Sequence, residues 1–328
     1  MTSSKSRRRP DLFIIGAAKC GTTSLYNYLS GHPDIYMSPD KEPGYFAPDL
    51  ASDATREALR YGRDLERYLG LFADAGQARR LGEASVRYLR SEQAPQLIHD
   101  FQAEPFVVVM IRNPVDMVYS LHGQRFAEGG EDLADFAEAL SAEADRRKGR
   151  RIPRGAKNPR LTTYLDRARF GQQLPRWFDT FGRERLHVIV LEDFVRDQRA
   201  EFRRLLEFLD VDPDYLPVDF QRHNPSHAPR SATVRAILNA QAPRGPIRRL
   251  IPQDVRDGLR RQIIRRIRML NRKPVKRPPL SPELRRRLEV EFMDDVLLTS
   301  ELLGRDLAGQ WFGARPAAPA QQVEAAST

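Results

Sequence analysis

Short unbroken runs of apolar residues alternate along this chain with stretches in which apolar residues recur at helical spacing. The unbroken runs predict β-strands at residues 12–16, 35–37, 82–86, 106–112 and 186–192. The helical spacing predicts helices at residues 23–31, 55–70, 92–102, 114–126, 132–147, 163–182, 197–209, 232–242, 253–270 and 282–303. This alternation predicts an α/β fold of three layers, in which helices flank a mainly parallel sheet.

The composition predicts one folded unit with a short tail at each end. The chain has 328 residues, of which 41% are hydrophobic, so it can bury a substantial core. We expect a disordered basic tail over residues 1–10, a single domain over 11–312 and a second disordered tail over 313–328. Within the domain, residues 149–159 are rich in glycine, proline and charge, which predicts a loop near the ligand cleft.

The net charge of +10 is unevenly distributed. Lysines and arginines greatly outnumber acidic residues between Arg235 and Arg287, and the predicted helix 253–270 is amphipathic with arginines on its polar face. Three interpretations stay open: a solvated face, an anionic acceptor, or a membrane or other anionic surface contacted through residues 246–277. Nucleic acid is not favoured, because aromatic residues do not interleave with the basic ones and no nucleic-acid-reading motif is recognised.

The sequence also predicts a cytoplasmic protein that needs no metal. No apolar run reaches the roughly 18 residues of a membrane-spanning helix, and the basic N-terminus is not followed by a secretory apolar core. The only cysteine is Cys20, which excludes an intrachain disulfide and suits a reducing compartment. The six histidines are scattered, without metal-ligand spacing.

The first predicted strand runs into a loop of the type that binds phosphate. Gly16 and Gly21 are spaced as in nucleoside-triphosphate loops, but Thr22 occupies the place of the usual lysine and Lys19 lies inside the loop. The candidate ligands for an anion are the backbone amides of Cys20, Gly21, Thr22, Thr23 and Ser24, the two threonine hydroxyls and the charge of Lys19. We expect them to hold a single tetrahedral anion. A degenerate nucleotidase loop or a plain strand-to-helix turn is the alternative.

The segment from Lys19 to Leu25 resembles the 5′-phosphosulfate loop of the sulfotransferases that use 3′-phosphoadenosine 5′-phosphosulfate (PAPS). The resemblance extends over about residues 12–312, and its C-terminal part resembles bacterial members related to heparan sulfate sulfotransferases. It implies a P-loop nucleotide-binding-like sulfotransferase fold, PAPS as co-substrate and a glycan or small-molecule acceptor. Residues 130–165 and 235–280 match poorly, so we expect them to carry the acceptor specificity.

A second motif supports the same ligand. The apolar run 106–111 leads into Arg112, and Arg112 would lie at the carboxyl end of a buried strand, where open α/β sheets bind ligands. Ser120 follows two turns into the next predicted helix, which Pro114 is well placed to begin. The resemblance identifies Arg112 and Ser120 as the family's 3′-phosphate pair. A guanidinium binds a phosphate dianion with permanent charge and two parallel hydrogen bonds.

Glu42 is the first candidate for the catalytic base. It lies in Lys41–Phe46, after the short second strand, and this segment resembles the lysine, glutamate and aromatic pair of heparan-type enzymes. A salt-bridged structural carboxylate is the alternative. His122 is a second candidate base, although on a helix it points about 200° away from Ser120. Lys19 is the candidate for stabilising the leaving phosphate.

Two further segments complete the set of candidates. Residues 82–88 resemble a family segment in which a lysine follows the glutamate, but this chain has Ala84 at that place. Lys41 or Arg87 is a hypothetical substitute for that charge. Arg230 lies in a segment that resembles a nucleotide-covering loop, where it would contact the 3′-phosphate; an ordinary surface arginine is the alternative.

Together these motifs predict an enzyme that moves a sulfuryl group from PAPS to a hydroxyl or amine of a carbohydrate or other small polar acceptor. Two alternatives stay open. The chain could be an inactive regulatory protein that binds PAPS or its desulfated product, 3′-phosphoadenosine 5′-phosphate (PAP). It could also be a degenerate P-loop kinase, which the missing lysine after Gly21 disfavours.

Overall fold

The structure is a computed structural model that describes residues 8–51, 64–153, 155–156, 162–217, 220, 227–229, 272–274 and 277–313. Its main sheet contains β1 (Leu12–Gly16), β2 (Ile35–Met37), β3 (Arg80–Ala84), β4 (Phe106–Ile111) and β5 (Leu186–Val190). A separate antiparallel pair is formed by β6 (His227–Pro229) and β7 (Arg272–Pro274). The described helices are α1 (Thr22–Ser30), α2 (Leu65–Leu69), α3 (Ala94–Phe101), α4 (Pro114–Glu128), α5 (Phe136–Ser141), α6 (Glu143–Arg147), α7 (Phe170–Gln173), α8 (Pro175–Phe181), α9 (Leu191–Arg196), α10 (Gln198–Phe208), α11 (Pro282–Leu303) and α12 (Leu307–Phe312).

The five main strands are all parallel and lie in the order β2-β3-β1-β4-β5. In the central strand, Leu12 pairs with Gly82 on one side and with Phe106 on the other. Every residue of β1 is buried, as its unbroken apolar sequence predicts for a strand covered on both faces. The parallel sheet flanked by helices confirms the predicted fold class.

This strand order determines where a ligand can bind. From β1 the chain adds β2 and β3 on one side of the sheet and β4 and β5 on the other, so the direction of growth reverses at β1. Ligands of open parallel sheets bind in the crevice at the carboxyl ends of the strands where such a reversal occurs. The loops that follow β1, β3 and β4 therefore share one edge of the sheet.

Helix α4 begins and ends at residues suited to those positions. Asn113 caps it through Oδ1, which accepts a hydrogen bond from the amide of Val115 at 3.0 Å, and Pro114 occupies the first turn, where it costs no hydrogen bond. Gly129 ends the helix in the left-handed conformation, with φ 77°. The cap residue comes directly after Arg112, so the start of α4 and the orientation of that arginine are set together.

The C-terminal helices close over the start of α4. The Asn113 side-chain amide donates to the carbonyl of Trp311 at 3.1 Å, and the Trp311 indole donates to a Glu192 carboxylate oxygen at 3.2 Å. The other oxygen of Glu192 accepts from the Asn113 backbone amide at 3.1 Å. Helices α9 and α12 therefore hold the end of β4 in place, although they are distant from it in the sequence.

Several predicted boundaries were wrong. The strand predicted at 82–86 begins at Arg80 and ends at Ala84, and the strand predicted at 186–192 ends at Val190 because α9 begins at Leu191. The helix predicted at 132–147 is two helices, α5 and α6. The helix predicted at 163–182 is a 3₁₀ turn, α7 and α8, and the last break falls before Pro175, which cannot donate an interior helical hydrogen bond. Helix α12 was not predicted from the sequence.

Other predictions concern residues outside those described. These are the helices 232–242 and 253–270 and most of the basic stretch 246–277, together with most of both tails. Of the helix predicted at 55–70, the described part is helical from Leu65 to Leu69. None of the described helices combines the length and the apolar composition that crossing a bilayer requires.

Candidate functional site

The loop between β1 and α1 has the shape of an anion cradle. Gly21 caps α1 in the left-handed region with φ 91°, and a Cβ there would lie 2.9 Å from Cδ1 of Leu191, so only glycine fits. The amides of Cys20 and Ser24 donate within the loop, to Ala17 at 3.3 Å and to Gly21 at 2.9 Å. Of the predicted amide ligands, those of Thr22 and Thr23 lie in the open first turn of the helix, where amides have no intrahelical acceptor.

Cys20 is unsuited to nucleophilic chemistry. Its side chain is fully buried, and its Sγ lies 3.5 Å from the carbonyl oxygen of Ala18. Burial raises the pKa of the thiol to about 12, which outweighs the charge of Arg112. The thiol therefore stays protonated near neutral pH, and this residue serves the loop through its backbone and its packing.

Arg112 connects the two predicted phosphate motifs. Its Nη1 donates to the backbone carbonyl of Lys19 at 3.2 Å, across the crevice between β1 and β4. Its Nη2 lies 3.8 Å from a carboxylate oxygen of Asp116, and its buried Nε has no hydrogen-bond partner in the described part of the chain. A buried guanidinium nitrogen without an acceptor fits an anionic ligand at this place.

The structure assigns different environments to Ser120 and His122 on α4. Ser120 is half-buried, whereas His122 is fully buried. The His122 ring lies between the carbonyl of Leu133, 3.0 Å from Nε2, and the guanidinium of Arg277, 3.1 Å from Nδ1. Burial lowers the pKa of His122, so the ring is neutral and engaged in packing. This arrangement disfavours His122 as the base and agrees with its expected direction away from Ser120.

Glu42 lies at the carboxyl edge of the sheet in an unusual backbone conformation. Its φ is 63°, in the left-handed region that residues other than glycine rarely adopt, and its amide donates to the carbonyl of Ala84 at 2.9 Å. The side chain is half-buried. Burial raises the pKa of the Glu42 carboxyl, and the cations of Lys41 and Arg87 oppose that rise. A carboxylate with a raised pKa is a better proton acceptor, as a general base requires.

The end of β3 and the residues after it form hydrogen bonds with the segment that contains Glu42. The buried Glu83 carboxylate accepts hydrogen bonds from the hydroxyls of Ser85 at 2.6 Å, Tyr88 at 2.7 Å and Tyr68 at 2.9 Å. Two of these hydroxyls also accept hydrogen bonds from the segment that contains Glu42. Ser85 Oγ accepts from the amide of Gly44 at 3.0 Å, and Tyr88 Oη accepts from the amide of Phe46 at 3.3 Å. Burial raises the pKa of Glu83 to about 7, against the effect of its hydrogen bonds.

Lys41 contacts the end of the loop between β1 and α1, where that helix begins. Its Nζ donates to Oγ1 of Thr23 in the first turn of α1. Burial lowers the pKa of the Lys41 ammonium, the charge of Lys19 adds to that effect and the charge of Glu42 opposes it. Lys19 and Glu42 thus both act electrostatically on the Lys41 ammonium. The position of the missing lysine, Ala84, is fully buried in the sheet.

Three arginines act on Glu42 from other elements. Each lowers its pKa through charge: Arg87 after β3, Arg125 in α4, and Arg167 in the 3₁₀ turn Leu165–Ala168. Arg87 was a candidate from the sequence, whereas Arg125 and Arg167 were not predicted, because charged residues spaced along helices are usually solvated and no motif marks them. Arg230 lies outside the described residues. Within the described residues no group of acidic, histidine or cysteine side chains could hold a metal ion.

Comparisons with known proteins agree with this geometry. A model of the "Sulfotransferase family" matches residues 10–215. Carbohydrate sulfotransferase 15 of Rattus norvegicus is 26% identical over 289 residues, which cover 75% of this chain and 51% of the relative. Heparan sulfate glucosamine 3-O-sulfotransferase 6 of Mus musculus is 27% identical over 209 residues, which cover 62% and 53%. The chain therefore spans about half the length of these curated relatives.

A solved structure extends the likeness to nearly the whole chain. The crystal structure of a sulfotransferase from Alicyclobacillus acidocaldarius superposes with a TM-score of 0.68 at 29% sequence identity. The match covers 93% of this chain and 99% of that one. The sulfotransferase type of α/β fold, expected from the phosphate-loop resemblance, is thereby confirmed.

Proposed function

This chain belongs to the sulfotransferase family, and on that premise we propose that it transfers a sulfuryl group from PAPS to a hydroxyl or amine group of a carbohydrate acceptor. The observation that carries the proposal is the 3.2 Å hydrogen bond from Arg112 to the carbonyl of Lys19, because it brings both phosphate motifs to one crevice. The carbohydrate and heparan sulfate sulfotransferases among the relatives support a glycan acceptor.

The donor is held at two places in this proposal. The first-turn amides of α1, the hydroxyls of Thr22 and Thr23 and the charge of Lys19 bind the 5′-phosphosulfate. Arg112 and Ser120 bind the 3′-phosphate, and the buried Nε of Arg112 fits this role because it has no hydrogen-bond partner in the described part of the chain. Arg230 is retained as a further 3′-phosphate ligand.

The proposed transfer is one displacement at sulfur. Glu42 removes the proton from the accepting hydroxyl or amine, the freed electron pair forms the new bond to sulfur, and the bond from sulfur to the phosphate oxygen breaks. PAP leaves with that electron pair. Lys19 neutralises the charge that develops on the leaving phosphate, and Lys41 supplies the second cation that Ala84 lacks, since it already contacts Thr23 of the loop.

We further propose that the reaction needs no metal and takes place in the cytoplasm. The cations that the chain directs to the crevice fill the role that Mg²⁺ has in nucleotide kinases. An excess of chelator should leave the rate unchanged, and a rate restored only by Mg²⁺ would contradict the metal-free step. Fractionation of cells that make the full chain tests the location.

Labelled PAPS and two polysaccharides test the function. Heparosan offers hydroxyls, and its de-N-acetylated form adds free amines. Transfer of label to both polysaccharides indicates O-sulfation, and transfer to the de-N-acetylated form alone indicates N-sulfation. Glu42→Gln should lower the rate of transfer by about 10²-fold to 10⁴-fold while calorimetry shows unchanged PAP binding. The missing lysine at Ala84 favours a second candidate, a donor-binding regulatory protein: PAP binding without transfer to any glycan would support it, and no preference for PAP over adenosine 5′-phosphate would refute both.

A further inference from the structure

Glu83 is a buried carboxylate to which the proposed transfer assigns no role. It lies in β3, and its side chain is fully buried. One carboxylate oxygen accepts hydrogen bonds from the hydroxyls of Tyr88 at 2.7 Å and Tyr68 at 2.9 Å, and the other accepts from Ser85 at 2.6 Å. Because a hydroxyl carries a single proton, each of these three hydroxyls can only accept hydrogen bonds from its other neighbours.

Two of the three hydroxyls accept from the segment that carries the proposed base. We call residues 42–46 the base segment. The amide of Gly44 donates to Ser85 Oγ at 3.0 Å. The amide of Phe46 donates to Tyr88 Oη at 3.3 Å. Both amides belong to buried residues, where a donor without an acceptor is costly. Each hydroxyl therefore accepts from the base segment and donates to the same buried carboxylate.

The base segment depends on such support because its backbone conformation is unfavourable. It lies in a connection, after β2 and before the 3₁₀ turn Pro48–Leu50. Glu42 and Gly44 both have positive φ, at 63° and 66°, and a residue other than glycine stays in the left-handed region only where its surroundings enforce it. The amide of Glu42 donates to the carbonyl of Ala84 in β3 at 2.9 Å. The amides of residues 42, 44 and 46 are thus all held by β3 and the residues that follow it.

The rings of the two tyrosines pack against the base segment as well. Tyr68 stacks on Tyr45, with ring centroids 4.5 Å apart. Tyr88 lies edge-on to Phe46, with centroids 6.0 Å apart. Replacing either tyrosine by phenylalanine keeps the ring and removes only the hydroxyl. The Tyr88 hydroxyl bonds to Glu83 and to the base segment, whereas in the described part of the chain the Tyr68 hydroxyl bonds to Glu83 alone. Tyr68→Phe is therefore the matched control for Tyr88→Phe.

We infer that Glu83 is a positioning residue for the proposed base Glu42. Its carboxylate directs the protons of two hydroxyls, so that both accept from the base segment and hold that segment at the edge of the sheet. This inference rests on the proposed function, in which Glu42 removes the acceptor's proton. A glutamine in place of Glu83 would oppose an NH₂ donor to one of the hydroxyls, which would have to turn its proton away.

Hydrogen exchange of single amides, followed by NMR on the ligand-free protein, tests the positioning directly. The measurement is made at about pH 8, because burial raises the pKa of Glu83 to about 7 and the carboxylate predominates above that value. We expect the Gly44 amide to exchange about tenfold faster or more in Ser85→Ala, and the Phe46 amide likewise in Tyr88→Phe. Glu83→Gln should accelerate at least one of the two, and the matched control neither. Exchange that is unchanged in all three variants, or equally accelerated in the control, would overturn the inference.

Turnover then tests whether this support acts on catalysis. The assay uses labelled PAPS and de-N-acetylated heparosan at the same pH. We expect kcat to be lower by about 10²-fold in Glu83→Gln, because a small displacement of a catalytic group costs that much, while calorimetry shows unchanged PAP affinity. Ser85→Ala and Tyr88→Phe should also lower kcat, and the matched control should not. A purely structural role predicts instead that Tyr68→Phe and Tyr88→Phe lower the melting temperature and kcat alike, and that result would overturn the inference.

The outcomes separate this inference from the proposed function. A wild type that transfers label, together with variants that keep its kcat, would overturn the inference alone. A wild type that binds PAP but labels neither polysaccharide refutes the transfer and the base role of Glu42 together, and amide exchange still decides whether Glu83 holds the base segment. If Glu83→Gln does not fold, Ser85→Ala and Tyr88→Phe serve for both tests, because each removes one small group and leaves the carboxylate in place.

Discussion

Replacing Arg112 by alanine tests the link between the two phosphate motifs. The change removes the 3.2 Å hydrogen bond to the carbonyl of Lys19 and the guanidinium assigned to the 3′-phosphate. Loss of one partner of a buried, hydrogen-bonded charge pair costs about 2–5 kcal/mol. At about 1.4 kcal/mol per factor of ten, this predicts PAP affinity lower by roughly 30-fold to 4,000-fold.

A second ligand separates the two effects of this substitution. Adenosine 5′-phosphate reports only the damage to the loop through the lost Lys19 contact, because it lacks the 3′-phosphate. The ratio of PAP to adenosine 5′-phosphate affinity therefore isolates the 3′-phosphate contribution. Calorimetry without Mg²⁺ should show this ratio collapsing in Arg112→Ala, and Arg112→Lys should keep part of it, because a lysine retains the charge but not the paired hydrogen bonds.

One outcome would refute this reasoning. If Arg112→Ala weakens PAP and adenosine 5′-phosphate by the same factor, Arg112 supports the loop and does not contact the 3′-phosphate. Circular dichroism of the variant controls for unfolding. Asp116→Asn is a matched control on the same helix, because it removes the weak 3.8 Å ion pair of Arg112 while leaving the guanidinium in place.

Three further predictions concern the base, the second cation and the buried support of the site. Glu42→Gln should lower kcat by about 10²-fold to 10⁴-fold with PAP affinity unchanged. In the wild type, activity should fall with decreasing pH around a pKa above that of an ordinary glutamate, because burial raises the Glu42 pKa. A flat pH–rate profile would count against this base. Lys41→Ala should lower kcat by about 10²-fold to 10³-fold in a turnover assay. Lys148→Ala is the control, because this lysine is exposed. Equal effects of the two substitutions on kcat would exclude a specific role for Lys41. Folding binds a proton at Glu83, whose pKa rises from 4.5 to about 7, so its stabilising effect is complete below pH 4.5 and is lost as pH rises through 7. Denaturant unfolding should show a free energy of unfolding about 3 kcal/mol lower above that pH window than below it. Glu83→Gln should remove this dependence on pH. If the dependence persists in the variant, Glu83 is not its source.

The elements that local pattern controls were predictable. The apolar run of β1 and the glycine spacing of the following loop place strand, cradle and helix within a residue of their observed bounds. Helix α11 was predicted at its observed bounds, because Pro282 and Gly304 mark its ends in the sequence. Around Pro175 the sequence contains both helix-forming and helix-breaking residues, and the long helix predicted there is divided into the short helices α7 and α8. Packing decides whether such a segment forms one helix or two.

The meeting of the Lys19 loop with Arg112 could be predicted for the same reason. Lys19 and Arg112 lie directly after buried strands, and the parallel order brings the ends of those strands to one edge. The electrostatic neighbours of Glu42 on α4 and in the 3₁₀ turn could not be predicted. Arg125 and Arg167 act on Glu42 through their charges only because of tertiary packing, which brings α4 and the turn at Leu165–Ala168 into contact.

The sequence by itself determined the parallel sheet, the phosphate loop and the order of the two phosphate motifs, because each depends on neighbouring residues and on the period of the apolar pattern. Only the tertiary structure decided which charges meet. It directed Lys41 to Thr23 and turned His122 into the core. It also buried Arg167 beside Glu42, since burial and electrostatic partnership are properties of the packed chain and not of its local sequence.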